Sequence, residues 1–156
     1  METTYIKTPL GIAAITGDEN GISEISIAGE GVISTRTPQV LEEAVSQLNA
    51  YFEGKRTTFN FKLNPKGTEF QQKVWKGLLD IPFGKTCSYM DLSKKLGDVK
   101  AIRAVASANG KNPLWIVVPC HRVIGSDGSL TGYAGGLWRK KWLLEHENPS
   151  NQKSLF

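Results

Sequence analysis

The sequence predicts an α+β protein. A small α/β N-terminal lobe with a short, mostly antiparallel sheet is followed by a mostly helical lobe that contains a helix-turn-helix. Three observations carry this. Between Ile12 and Ile27 apolar residues recur in strand-like runs around an Asn20-Gly21 turn signal. From Thr68 onward they recur at helical spacing behind capping signals. Between the two, Asn64-Pro65-Lys66-Gly67 reads as a linker. The expected division is 1–67 for the first lobe, 68–147 for the helical one and 148–156 for a polar, flexible tail.

The elements follow in order. Ile12, Ala14, Ile22, Ile25 and Ile27 supply the strand signal. Thr37 is a good N-cap and Pro38 suits a first helical position. Leu41, Ala44, Val45, Leu48, Tyr51 and Phe52 then mark a helix that ends at Gly54. Phe59, Phe61 and Leu63 alternate with polar residues as in a strand. Thr68-x-x-Gln71 is a capping box, and Phe70, Val74, Trp75 and Leu78 share one face of the helix behind it. Ile81-Pro82-Phe83-Gly84 ends that helix. A short helix spans Ser88 to Leu96 and stops at Gly97; Asp98 caps the next, which runs to Asn109 and Gly110. Two short helices about a glycine turn make a helix-turn-helix. The second exposes mostly alanine and serine beside Arg103, small side chains that let a backbone approach another surface, whether the protein's own core or a DNA groove. Leu114 to Val118 reads as a buried strand ending at Pro119.

Composition excludes several classes. At 156 residues, 40% apolar and 22% charged, the chain is neither disordered nor rich in membrane spans. Met1 to Gly11 has no basic stretch leading into an apolar one, so a cytoplasmic protein is expected. Cys87 and Cys120 allow at most one disulfide, which suits a reducing compartment. Charge is uneven. Met1–Gly67 holds 6 Lys/Arg against 8 Asp/Glu, whereas Thr68–Glu147 holds 12 against 7. A polyanionic partner should therefore dock on the second half.

The chemistry concentrates at Pro119-Cys120-His121-Arg122-Val123. A thiol becomes a nucleophile beside a base or a cation, and His121 and Arg122 supply one of each. Neighbours on a strand face opposite ways, so either the chain bends at Pro119 or a water bridges Cys120 and His121. A carboxylate, Glu145 or Glu147, should hold the imidazole in one tautomer. An inert core thiol is the structural alternative. The only thiol and imidazole ligands are Cys87, Cys120, His121 and His146. They form no metal-binding spacing, so no metal is expected.

Pro119 to Val123 resembles the active-site motif of the O6-alkylguanine-DNA alkyltransferases, the methylated-DNA–protein-cysteine methyltransferases. The resemblance extends in order through Val74-Trp75, Ile81-Pro82, Gly84-x-Thr86-x-Ser88-Tyr89, Arg103-Ala104-Val105, Asn112-Pro113, Gly132-Tyr133-x-Gly135-Gly136 and Leu143-Leu144-x-x-Glu147. It covers Thr68 to Glu147; the first lobe carries little motif signal.

The resemblance implies a single-use DNA repair protein without a cofactor. It would flip O6-alkylguanine, and by the same chemistry O4-alkylthymine, out of duplex DNA and keep the alkyl group on Cys120. It implies that Glu147 orients His121, that His121 draws the thiol proton through a water, and that Asn112 braces the active-site loop. Tyr89 would donate to the flipped base and crowd the flanking phosphate, and Arg103 would fill the vacated place in the stack. Ala104, Ser107 and Arg122 are the further DNA contacts expected; Val123, Tyr133, Ala134 and Gly135 would line the base pocket. Ala106 stands where a glycine is usual, and Trp115 where an aliphatic residue is. A non-catalytic damaged-DNA-binding module is the alternative, and Cys120 argues against it. A monomer is expected, with duplex DNA as its partner and no membrane. At the tail, Gln152-Lys153-Ser154-Leu155-Phe156 resembles the short peptide motif that binds the bacterial sliding clamp.

Overall fold

In the computed structural model of the chain, residues 1–28, 30–130, 132–133 and 135–149 are described. The tail peptide 152–156 lies outside them. The chain divides into two compact units. The first is Met1–Lys66 with Pro113–Trp115; the second is Gly67–Asn112 with the chain from Ile116 on. The sequence reading kept 68–147 in one piece. Pro113–Trp115 joins the first unit because Leu114 forms a bridge with Ile25, with Ile25 N–H donating to the Pro113 carbonyl (2.8 Å) and Trp115 N–H to the Ile25 carbonyl (3.1 Å).

The first unit is built on an antiparallel sheet in the order β1 (Glu2–Thr8), β2 (Gly11–Asp18), β3 (Gly21–Ala28). The Asn20-Gly21 hairpin is present. Asp18 Oδ1 accepts from Asn20 N–H at 2.8 Å, and Gly21 takes a φ of +128°, which glycine adopts without a Cβ penalty. On β2 the buried face is Ala13, Ile15 and Gly17, while Ile12 and Ala14 are half-buried. The sequence signal had marked the other face. Both faces of β2 are apolar, so its own pattern cannot choose. Its partners decide: Ala13 lies opposite Ile6 and Ile27, and Ile15 opposite Thr4 and Ile25.

A 3-10 turn, Gln39–Leu41, precedes helix α1 (Glu42–Phe52). Pro38 is the N-cap of that turn rather than a first helical residue, and no side chain caps it. Ala44, Gln47, Leu48 and Tyr51 form the buried face of α1. The strand expected at Phe59–Leu63 is not formed. Only Leu63 makes a bridge, to Ile22, while the Phe59 ring packs 5.5 Å from Tyr51 and Gln47 Oε1 accepts from Asn60 N–H.

The second unit places the functional residues. Helix α2 (Glu69–Leu78) has the full Thr68/Gln71 capping box. Trp75 on its buried face donates its indole N–H to the Ala108 carbonyl at 2.9 Å. A two-residue strand β4 (Cys87–Ser88) leads into α3 (Tyr89–Lys95), capped by Ser88 and Asp91. Gly97, at φ +90°, makes the turn. Asp98 caps the 3-10 turn Val99–Ala101 through Lys100 N–H, and α4 (Ile102–Gly110) follows. α2, α3 and α4 pack on one another. β5 (Val123–Ile124) pairs in parallel with β4, and α5 (Leu137–Glu147) completes the unit. Asn148, the first residue of the stretch expected to be flexible, is held: its side-chain amide donates to the Gly84 carbonyl at 3.1 Å.

Gly67 abuts Trp75: a Cβ there would lie 2.4 Å from the indole ring, which is itself fixed by its bond to Ala108. Gly67→Ala is expected to destabilise the protein by about 1–3 kcal/mol, as overpacking of a fixed ring does. Urea unfolding measures this. A loss below about 0.5 kcal/mol would show that Trp75 can move.

Candidate active site

The site begins with a bend. Pro119 has φ −82° and ψ +63°, an inverse γ-turn, closed by Cys120 N–H donating to the Val118 carbonyl at 2.8 Å. Cys120–Arg122 then form a 3-10 turn. The strand expected over Leu114–Val118 is absent. Only Leu114 pairs, and Ile116 takes φ +75°, a left-handed conformation that costs a β-branched residue about 1–3 kcal/mol. Of the two alternatives read from the sequence, the bend at Pro119 is present.

Asn112 braces this bend. Its amide nitrogen donates to the Val118 carbonyl at 2.7 Å, and its side chain also hydrogen-bonds the Cys120 thiol. Asn112 itself is buried. Burial pushes the Cys120 pKa up to about 11, although Asn112 and the positive charge of Lys140 both pull it down. At neutral pH the resting side chain is a thiol. It needs a base to react.

His121 is 0% exposed. Burial holds its pKa below the usual imidazole value, with Glu147 pulling the other way, so the ring is neutral at pH 7. A neutral imidazole has one N–H. The 2.7 Å contact of Nε2 with Glu147 Oε2 places it there. Nδ1 is thus a bare lone pair, and it has no hydrogen-bond partner among the described residues. Of the two carboxylates considered from sequence, Glu147 is the one that orients His121. Burial raises the Glu147 carboxyl, but His121 and the Arg122 guanidinium outweigh it and hold it far below the usual carboxylate range.

Arg122 is a correction. Expected to contact DNA, it is buried and fully engaged. Nε and Nη2 donate to the two Glu147 oxygens at 2.7 and 3.0 Å, and Nη1 donates to the Ile81 carbonyl at 2.6 Å. All three of its nitrogens already donate inside the protein, and its burial keeps it from a phosphate. Val123 also departs from expectation. It is 0% exposed in β5 beside Cys87, so it backs the site rather than lining an open pocket.

The remaining residues fall into place around this turn. β4 and β5 tie Tyr89, one residue past Ser88, to the strand that starts right after Arg122. On α4, Arg103, Ala104 and Ser107 are exposed, whereas Val105, Ala108 and Asn109 are buried. The helix therefore turns its small residues and one arginine outward. The buried hydroxyl of Tyr133 is pushed well above its usual pKa by burial and then by Cys120, which puts it in the field of the thiol. The Gly135 carbonyl accepts from Arg139 Nη1 at 2.8 Å. Ala134 lies outside the described residues. Sequence reasoning missed Lys140, which is 0% exposed. Its one signal was a spacing of seven residues from Glu147 on an amphipathic segment, a pattern that lysine rarely fills from the buried side.

The fold and site define a class: a helix-turn-helix protein with a buried cysteine held in a Pro-Cys-His-Arg turn. Residues 69–149 match the family described as 6-O-methylguanine DNA methyltransferase, DNA binding domain, and residues 1–65 its ribonuclease-like domain. A methylated-DNA–protein-cysteine methyltransferase of Methanosarcina barkeri is 44% identical over 94% of this chain and 97% of its own. One of Mycobacterium tuberculosis is 46% identical over 91% and 89%. The crystal structure of the Mycobacterium tuberculosis protein in complex with DNA superposes with a TM-score of 0.86 at 44% identity, covering 96% of this chain and 94% of that one. The chain belongs to the methylated-DNA–protein-cysteine methyltransferase family.

Glu147→Gln would leave the buried guanidinium without its counter-charge. A loss of about 3–5 kcal/mol at neutral pH is expected. The depressed carboxyl stabilises the fold above its unfolded pKa of about 4.3, and that contribution fades as pH falls below it. The gap between the variant and the parent should therefore narrow in acid. Urea unfolding across pH reads both; a constant gap would contradict the charge assignment.

Proposed function

We propose that this chain repairs O6-alkylguanine, and O4-alkylthymine by the same chemistry, in duplex DNA by moving the alkyl group irreversibly onto Cys120 Sγ. The observation that carries this reading is the buried Cys120 thiol, bonded by Asn112 and followed in the same turn by a neutral imidazole whose tautomer Glu147 sets. His121 Nδ1 takes the thiol proton through a bridging water. The thiolate attacks the alkyl carbon in line; the S–C bond forms and the C–O bond breaks. Guanine leaves with the electron pair and is protonated as it departs. The bond changes balance without a redox partner. A thioether is a poor leaving group, so each molecule reacts once.

Access to the base requires extrusion, because the reacting oxygen lies inside the stack. The outward face of α4 supports a role in the groove, with Arg103 entering the stack and Ala104 and Ser107 against the backbone. Tyr89 would donate to the extruded base, and the Tyr133–Gly135 segment, Ala134 included, would wall its pocket. The protein is read as a monomer acting at DNA in the cytoplasm, where its two unpaired thiols stay reduced. Among the described residues no helix is long and apolar enough to cross a membrane.

Incubation with a duplex carrying O6-methylguanine should add one methyl mass to the intact protein, mapped to Cys120. Cys120→Ala should take none yet retain DNA binding, since the thiol touches no phosphate. In the same assay Arg103→Ala should lose far more rate on duplex than on the free modified base. Methylation of Cys120→Ala, or equal losses on both substrates, would overturn the respective assignment.

The tail resemblance adds a partner: a bacterial sliding clamp, docking Gln152 and the Leu155-Phe156 pair. The binding should be modest, because a peptide loses ordering entropy on docking. A chain ending at Asn151 should lose clamp binding and keep full repair of a short free duplex. Clamp binding equal to that of the full chain would end the idea.

A further inference from the structure

Lysine is almost never fully buried without a partner charge. Lys140 is fully buried near the start of α5. It stands seven residues, two helical turns, before Glu147, so the two project from one face, with buried Leu143 and Leu144 between them. The contacts of Glu147 show where that face points: to His121 and Arg122, on the Cys120–Arg122 turn against which α5 packs. The face therefore meets that turn with an anion at one end and a cation at the other. The mechanism above uses the anion and leaves the cation without a task.

We propose that Lys140 is a positioning residue for the alkyl transfer, its buried ammonium being the counter-charge that lets the Cys120 thiolate form in a dry site. The inference rests on the alkyl-transfer reading, but it concerns thiol ionisation, which can be measured without DNA. Burial brings the Lys140 pKa down to about 8, and Cys120 pulls it back up; the ammonium in turn lowers the thiol. The other titratable or charged groups facing this place are His121, neutral, and Arg122 on the turn, Tyr133, also neutral, on the preceding loop, and Glu147 on α5 itself. His121 and Arg122 already share Glu147, which leaves Lys140 as the cation for the sulfur. When His121 accepts the thiol proton, the new sulfur charge meets the ammonium. When the S–C bond forms, that charge passes to the leaving base.

The test uses the full chain with Cys87→Ser, so that Cys120 is its only thiol. Iodoacetamide alkylates the thiolate with loss of iodide, and intact mass follows its rate against pH. Lys140→Met should react roughly tenfold or more slowly at neutral pH, corresponding to a thiol pKa higher by about one unit. Lys140→Arg, which keeps the charge, should stay within a few-fold of the parent. The parent's rise in rate should flatten above about pH 8 as the ammonium titrates, and Lys140→Met should lack that break. Parent-like rates and an unchanged pH profile in Lys140→Met would overturn the proposal. Should the variants not fold, the parent's own pH profile decides: a rise in rate that continues unbroken through pH 8 refutes the role. Transfer from O6-methylguanine duplex is assayed separately, so failure of the repair reading shows there and not in the iodoacetamide profile.

Discussion

One carboxylate organises the catalytic unit. Glu147 is buried at the end of α5, where a lone negative charge would be prohibitively costly. It is kept by two guanidinium bonds from Arg122 and one from the His121 ring. The remaining arm of Arg122 reaches the Ile81 carbonyl, just beyond α2. A single charge thereby joins the end of one helix, the break after another and the turn that carries the nucleophile. The charge must be satisfied completely, so these three segments cannot shift independently. The tautomer of His121 follows from that constraint; it is not a separate device.

The resting thiol is inert by the same logic that makes it competent. With its pKa raised to about 11, only about one molecule in ten thousand carries a thiolate at neutral pH. Reactive cysteines usually run the other way, lowered by a cation or a helix end. A protein that spends itself in one reaction gains from a nucleophile that stays protonated until a base and a substrate are both in place. In the proposed transfer that base is His121, neutral and bonded to Glu147 through Nε2.

Geometry around Cys120 is maintained at a conformational cost. Ile116 sits at φ +75° and Pro119 closes a three-residue turn. Asn112 takes hold of both sides of that turn, through the Val118 carbonyl and the Cys120 thiol. The β4–β5 pair, only two residues long, then links the turn to the start of the helix-turn-helix. Strain of this kind survives only where the surroundings over-determine it.

Local chemistry was legible in the residues themselves. The Thr68/Gln71 box, the Asp98 cap, the Gly97 turn and the Asn20-Gly21 hairpin are short-range signals, and each appears where its residues stand. The motif order from Val74 to Glu147 led to the family and to Cys120, His121 and Asn112. What the sequence could not decide depended on partners distant along the chain. β1 buries Thr4 and Thr8, so it shows no apolar alternation, and only pairing with β2 reveals it. The buried face of β2 was chosen by its neighbours, and the run Leu114–Val118 was turned out of a strand by a single bridge and the brace on Val118. Arg122 and Lys140 are cations, and composition sends cations to the surface or to a phosphate. Their burial was decided by α5, which returns to the turn after the glycine loop and carries Glu147 to one and the field of Cys120 to the other. Periodicity and capping act within a few residues and are written locally; the environment that decides a buried charge exists only once segments far apart in sequence have met.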